Sequence, residues 1–250
     1  MESPNGAPSQ GALPNNTPVL CVHRFQLEMV LGHQVGYIPK KNLTLSRYTT
    51  DNPVSAKGRA FLSSLDACYM PRQQTERHPD FVQIIPYITL LDARGDDPRV
   101  LAYARQGAEE RLHGDASIGF GGHVDLSDVI QEGSTLLWDV LCQSAERELL
   151  EETGLRIGLS QANASIAGVI YCPDRRAVDR AHVGVHIVVT IDKRAKAGNL
   201  DLTFSDEIGY HAWTDRPSGL VAGAEGAEYL MPYETWSKLA MQHIEALAHV

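Results

Sequence analysis

The sequence predicts a mixed α/β domain of the α+β kind, in which strands enclose one central helix and a second helix closes the chain. Three observations predict it. FVQIIPYITLLD (81–92) and RVLAYARQ (99–106) read as strands flanking the turn signal ARGDDP. ASIAGVIYC and HVGVHIVVTID repeat that β-rich pattern further along. Between the two pairs, LLWDVLCQSAERELLEET carries apolar residues at helical period. Layers of this kind bury one sheet against helices.

Taken in order, residues 1–18 (MESPNGAPSQGALPNNTP) are rich in Pro, Asn, Gly and Ser, with little that can pack, and are expected to be a disordered tail. Residues 19–80 are mixed: an apolar stretch at 19–22, a helix-like run at 24–31, a polar stretch at 40–57, then AFLSSLDACYMPR. They read as an N-terminal extension packed on the main domain, which occupies 81–250. ASIGFGG ends a further strand in glycines, and the run from Tyr233 to Ala248 has the pattern of an amphipathic helix. There is no internal repeat.

Composition limits the function. At 250 residues and 43% hydrophobic, the chain can bury one sizeable core, or one core plus a small extra lobe. Its net charge of −9 argues against general nucleic-acid binding and against a basic membrane-surface role. No segment reaches the roughly 18 apolar residues of a membrane span, and no basic n-region precedes an apolar run at the start. Cys21, Cys68, Cys142 and Cys172 are far apart in the chain and form no CxxC pair, so neither a zinc site nor a disulfide framework is expected. A cytoplasmic protein in a reducing compartment fits these features.

The central helix raises the chemical question. Gly133-Ser134-Thr135 supplies a loop and N-cap, and Gly154 a C-terminal stop. At about 100° per residue, Leu137, Leu141, Ser144 and Ala145 share a face that Glu148, Glu151 and Glu152 continue, while Glu146 points away. A Glu pair near a helix end is ordinarily a solvated face. Here three like charges extend the inner side, at the helix end where the macrodipole disfavours anions. Carboxylates so placed repel and lose hydration unless a cation lies between them. A hard divalent ion, Mg²⁺ or Mn²⁺, suits carboxylate oxygens.

RELLEETGL (147–155) resembles the second half of the Nudix box, G-x5-E-x7-R-E-U-x-E-E-x-G-U with U aliphatic, and matches all seven specified positions from Arg147 onward. The first half departs from it. Counting back from Arg147 falls on Asp139 and Gly133, whereas the glycine pair that ends the preceding strand is Gly121-Gly122, a difference of 133 − 122 = 11 residues. An insertion, DLSDVIQEGST, accounts for the difference, with Asp139 in place of the usual glutamate. The similarity extends over about residues 81–248, and RLHGDASIGFGGHVD with QIIPY resembles a less-studied branch of MutT-like phosphoesterases.

The resemblance implies a Nudix fold, a mixed sheet sandwiched between helices, with a strand-loop-helix catalytic motif. It implies that Glu148, Glu151, Glu152 and the Gly121 carbonyl hold Mg²⁺ or Mn²⁺, and that Arg147 holds the carboxylates in position. Many members add a glutamate from a later loop; Glu207, six residues before Trp213 in SDEIGYHAW, has a similar spacing. The implied reaction is attack of water on phosphorus in a nucleoside diphosphate linked to another group, or a related organic pyrophosphate. Glu148 and Glu152 are then primarily ligands, and Glu151 or Glu207 the base. Members are often homodimers, and the expected partner is a small diphosphate substrate.

Basic residues for that substrate are scarce. Arg175 and Arg176, with Arg180, form a cluster in PDRRAVDR that reads equally as a solvated loop; Arg105 and Arg111 precede the glycine pair and could face the same cleft. His123 is read as a hydrogen-bonding loop residue, since no HExxH-like spacing accompanies it. Tyr171 and Pro173 indicate no substrate. Trp138, Tyr229, Trp236 and Cys142 are assigned to packing. Three other readings stand beside hydrolysis. They are a catalytically weak domain that senses a nucleotide, an isopentenyl-diphosphate-type isomerase needing a catalytic cysteine and glutamate, and an interaction domain that merely binds Mg²⁺.

Overall fold

The computed structural model of the protein describes residues 16–43, 60–106, 114–129, 137–159, 164–191, 202–216, 218–222 and 229–247. The N-terminal part supplies β1 (Pro18–His23), α1 (Arg24–Val30), β2 (Gly36–Pro39), β3 (Ala67–Pro71) and α2 (Arg72–Arg77). Then follow β4 (Phe81–Asp92), β5 (Arg99–Arg105), the short β6 (Ala116–Ser117) and the central helix α3 (Leu137–Thr153). The rest is β7 (Ala164–Tyr171), α4 (Ala177–Ala181), β8 (His182–Ile191), β9 (Ile208–Thr214), the hairpin β10 (Gly219–Ala222) and β11 (Tyr229–Pro232), and α5 (Thr235–Leu247). No helix among the described residues is long and apolar enough to cross a membrane.

Strands β1 to β9 form one mixed sheet, with β2-β7-β8-β4-β1-β3 in order and β5, β6 and β9 branching from β4. The 19–80 stretch thus contributes strands to the same sheet. On one side β4 runs parallel to β8, from Gln83 opposite His182 to Asp92 opposite Ile191. Its other side is shared by three partners. β1 pairs with the start, Phe120 exchanges both backbone hydrogen bonds with Ile88 at 2.8 Å, and β5 takes the end. The glycine segment around Phe120 is therefore held against the middle of the central strand.

β4 reads as an almost unbroken apolar run because both its faces are covered. Ile84, Ile88 and Leu90 pack on one side with Trp138, Leu141, Ala145 and Leu149 of α3; Ile85, Tyr87 and Leu91 pack on the other with Trp236, Ala240 and Met241 of α5. Those α3 residues recur at helical spacing, and burying a leucine such as Leu141 contributes roughly 1.5–3 kcal/mol. Gly154, at φ 68°, ends the helix and donates to the Leu150 carbonyl at 3.0 Å. At the start of α5, the Glu234 carboxylate accepts the amides of Trp236 at 2.6 Å and Ser237 at 2.7 Å. Orphan donors of the first turn are satisfied in this way.

Two expectations are corrected. ASIGFGG forms only the two-residue β6 and an isolated bridge at Phe120, because Ile118 and the glycines turn away to other partners: the Ile118 amide is taken by the Ser237 hydroxyl at 3.0 Å. Tyr229 is not a packing residue on a helix; it stands 57% exposed on β11, an outer strand of the hairpin. Trp138, Trp236 and Cys142 are buried as expected. The tail through residue 15, the polar stretch from 44 to 57, Arg111 and the end of the insertion (130–135) lie outside the described residues.

Candidate active site

The last two turns of α3 meet the glycine segment edge-on. Gly121 has φ 144°, and a Cβ there would overlap the Pro86 carbonyl, so only glycine lets this backbone lie against β4. A Cβ on Gly122 would come within 2.5 Å of the Glu148 carboxylate. The missing side chain is the space that Glu148 occupies.

The three glutamates of RELLEETGL separate into two settings. Glu148, its side chain 13% exposed, and Glu152 face the glycine pair, while Glu151 stands exposed at the rim. Burial pushes the Glu148 carboxyl up to about 7 against the pull of Arg147. Glu152 is pushed well above the usual carboxylate range by burial and then by the charge of Glu148; Arg105 and a backbone hydrogen bond from Gly121 oppose the rise. The Glu152 Oε2 atom is buried and has no hydrogen-bond partner. A buried carboxylate with an open lone pair beside a second carboxylate is short of a cation.

Arg147 is the organising cation. Its Nη1 donates to Glu148 Oε1 at 2.7 Å and to Glu151 Oε2 at 3.3 Å, as the sequence leads one to expect. The bidentate contact goes elsewhere. Nε and Nη2 donate to the two oxygens of Asp128 at 2.8 and 2.9 Å, and Nη2 also reaches the His123 carbonyl at 3.0 Å. Asp128 is 2% exposed and belongs to a 3-10 turn, Leu126–Asp128, inside the insertion. Asp125 caps that turn by accepting the Ser127 amide at 2.8 Å, and the Asp125 amide donates to Asp128 Oδ2 at 3.0 Å. The sequence reading passed over Asp128. Its signal was the D-x-x-D spacing of a reciprocal cap.

Other residues fall as follows. Arg105 ends β5 next to Glu152; its Nε is buried without a hydrogen-bond partner, and its guanidinium lies 5.8 Å from the Tyr103 ring centroid. Glu207 is exposed in the loop before β9 and close enough to Glu152 to raise its pKa. That loop is fastened to α3, with the Thr203 amide donating to the Thr153 carbonyl at 2.8 Å and the Ser205 amide to the Glu152 carbonyl at 3.0 Å. Arg176 is held by Asp115 at 3.1 Å and lies 3.7 Å from Asp179, near α5, and Arg175 is exposed beside it. Arg176 also donates to Thr235 Oγ1 at 3.3 Å, at the start of α5, and the Arg175 amide donates to the Cys172 carbonyl at 3.3 Å. His123 sits against His182, with Nε2 atoms 3.3 Å apart. Burial, then the nearby His182, Arg72 and Arg147, drives its pKa well down. Asp139 is part-buried in the first turn of α3.

Among the described residues, no three His, Cys, Asp or Glu side chains form a ready-made metal cage. The reason is visible in the contacts: Glu148 is turned onto Arg147 and Glu151 lies outward. The donor set nevertheless fits a hard cation. It has two half-buried carboxylates, one with a buried, unpartnered oxygen, beside a backbone that glycine keeps close.

No protein-family model matches the chain. Protein YmaB of Bacillus subtilis is 31% identical over 149 residues, which are 58% of this chain and 66%, just under two thirds, of that protein. The crystal structure of Tm1382, assigned to the Nudix hydrolases, superposes with a TM-score of 0.54 at 19% identity, covering 92% of this chain and 99% of that one. A MutT/nudix family protein from Enterococcus faecalis superposes with a TM-score of 0.47 at 17% identity, covering 67% and 62%. A sheet between two helices, an RELLEETGL helix facing a glycine pair, and the likeness to Tm1382 agree: the chain has the Nudix fold.

Proposed function

We propose that the protein hydrolyses a phosphoric anhydride, a nucleoside diphosphate joined to another moiety or a related organic pyrophosphate, with Mg²⁺ or Mn²⁺ as cofactor. The observation that carries this reading is the pair Glu148 and Glu152, half-buried together behind Gly121-Gly122, with the buried Glu152 Oε2 lacking a partner. Glu148, Glu152, the rim carboxylate of Glu151 and the Gly121 carbonyl would hold the divalent ion, which supplies Lewis-acid neutralisation of phosphate charge and acidifies bound water.

The chain's own residues do the rest. Arg147, braced by Asp128, fixes the direction of Glu148. Arg105, a buried cation next to Glu152, offers unshared N–H capacity to a phosphate oxygen. Glu151 or Glu207, both at the solvent side, takes the proton of the attacking water. Arg176 is already engaged by Asp115 and Asp179, which leaves Arg105 as the phosphate contact in this reading. The net charge of −9 favours a small ligand drawn into a local basic spot over a nucleic acid.

The test is product release in the presence and absence of Mg²⁺ across ADP-ribose, NADH, dinucleoside polyphosphates, nucleotide sugars, coenzyme A and oxidised nucleoside triphosphates. Glu152→Gln serves as the control. Activity on one class, lost by orders of magnitude in a variant that still folds, is the expected result. Equal turnover in Glu152→Gln would remove the carboxylate site. Nucleotide binding without any turnover would make the protein a sensor.

A further inference from the structure

We propose that Cys21 and Cys68 are a dithiol site that closes reversibly into an intramolecular disulfide on reaction with a small-molecule disulfide. The two residues are 47 positions apart in the chain but face each other directly in the antiparallel β1–β3 pair, with their sulfurs 3.7 Å apart. Residues opposite one another on antiparallel strands point to the same side, with Cα atoms about 4.5–5.5 Å apart, inside the about 4.4–6.8 Å that a disulfide spans.

The site is asymmetric in a way that orders the chemistry. Cys21 is fully buried, and burial together with the neighbouring Cys68 pushes its thiol up to about 12. Cys68 is exposed and belongs to β3, the last strand on its side of the sheet. As a thiolate, Cys68 attacks one sulfur of a disulfide such as oxidised glutathione, breaking that S–S bond and releasing one glutathione thiol. Cys21 then attacks Cys68 Sγ, its proton passing to the second glutathione sulfur as that group is displaced. The two protein thiols lose two electrons and two protons, and the oxidant is reduced to two thiols. Cys142 and Cys172 are buried elsewhere, in the separate packing clusters on the two sheet faces, and take no part.

The experiment incubates the full chain with excess oxidised glutathione at neutral pH. After acid quenching, free thiols are alkylated in denaturant and the digest is mapped by mass spectrometry, with Cys142 and Cys172 as internal references. The expected result is joint loss of alkylation at Cys21 and Cys68. The two would be recovered as one cross-linked peptide pair, two hydrogens lighter than its parts, and restored by dithiothreitol. In Cys21→Ser, Cys68 should stop at the glutathione adduct. Wild-type protein with a stable adduct on Cys68 and an alkylatable Cys21 would overturn the proposal. So would four free thiols under conditions that modify the urea-unfolded chain.

Discussion

Replacing Asp128 by Asn tests whether the insertion is part of the site. The Asn carbonyl can still accept the Asp125 amide, now 3.0 Å from Asp128 Oδ2, so the turn keeps its cap. The loss falls on Arg147. One of its two bonds to Asp128, at 2.8 and 2.9 Å, is replaced by a contact between two donors, and the opposing charge disappears. A hydrogen bond to a charged group is worth about 1.5–3 kcal/mol, and breaking a buried pair costs about 3–5 kcal/mol. The Arg147 side chain is 23% exposed and keeps Glu148 and Glu151, so the cost stays near that of the charged hydrogen bond and below that of a broken buried pair. We expect about 2–3 kcal/mol of destabilisation, read from the urea midpoint. Freed from its brace, Arg147 no longer fixes Glu148, and turnover on the substrate found by the panel should fall on the order of 10–100-fold, as when a metal site's supporting hydrogen bonds are removed. The decisive assay is a double-mutant cycle with Arg147→Gln. Losses that add within about 0.5 kcal/mol would mean that the two side chains do not act as a unit, and the bracing role would be refuted.

The two glycines should separate stability from activity. Gly121→Ala places a side chain at φ 144° against the Pro86 backbone and should cost roughly 2–5 kcal/mol in thermal or urea unfolding. A Cβ at Gly122 meets the Glu148 carboxylate first, so Gly122→Ala should fold nearly as well while losing activity; unchanged turnover would remove Glu148 from the reacting centre. A third prediction concerns pH. His186 is fully buried between Tyr37, at 2.8 Å, and Thr89, at 3.0 Å, with Tyr87 and His243 nearby, and burial holds it at about 3 against an ordinary 6.5. The folded state keeps it neutral while the unfolded chain takes up a proton. Its contribution is therefore complete above pH 6.5 and declines by up to about 1.4 kcal/mol per pH unit as pH falls toward 3. His186→Gln should flatten the acid limb of a stability–pH curve, and an identical slope in the variant would contradict the assignment.

What could be read from the chain and what could not divide along a physical line. β4, β5, β7, β8, α3 and α5 announced themselves because their patterns are local: an apolar run covered on both faces, or a helical period ended by glycine. The inward register of Glu148 and Glu152 was legible for the same reason, and Glu151 was not, because 100° per residue carries it just past the edge of the buried face. Pairing partners are another matter. Nothing in 19–80 states that β1 will sit between β3 and β4, or that Cys21 will meet Cys68, since register between distant strands is fixed by the assembled sheet.

Asp128 shows how the two kinds of information combine. Seen only as a displacement of 11 residues in the box spacing, 133 − 122, the insertion looks like a loop that leaves the catalytic helix untouched. In the fold, its first residues are drawn inward. The Leu20 amide of β1 donates to the Val124 carbonyl at 2.8 Å, and Val19 bridges to Asp125, so the N-terminal strand pins the start of the insertion beside α3. Asp128 can then reach Arg147, which a free loop would do only at an entropic cost. β1 is thereby linked to Arg147 through Val124, Asp125 and Asp128. Residues 125–128 and β1, which look independent in the sequence, form one support for the same arginine.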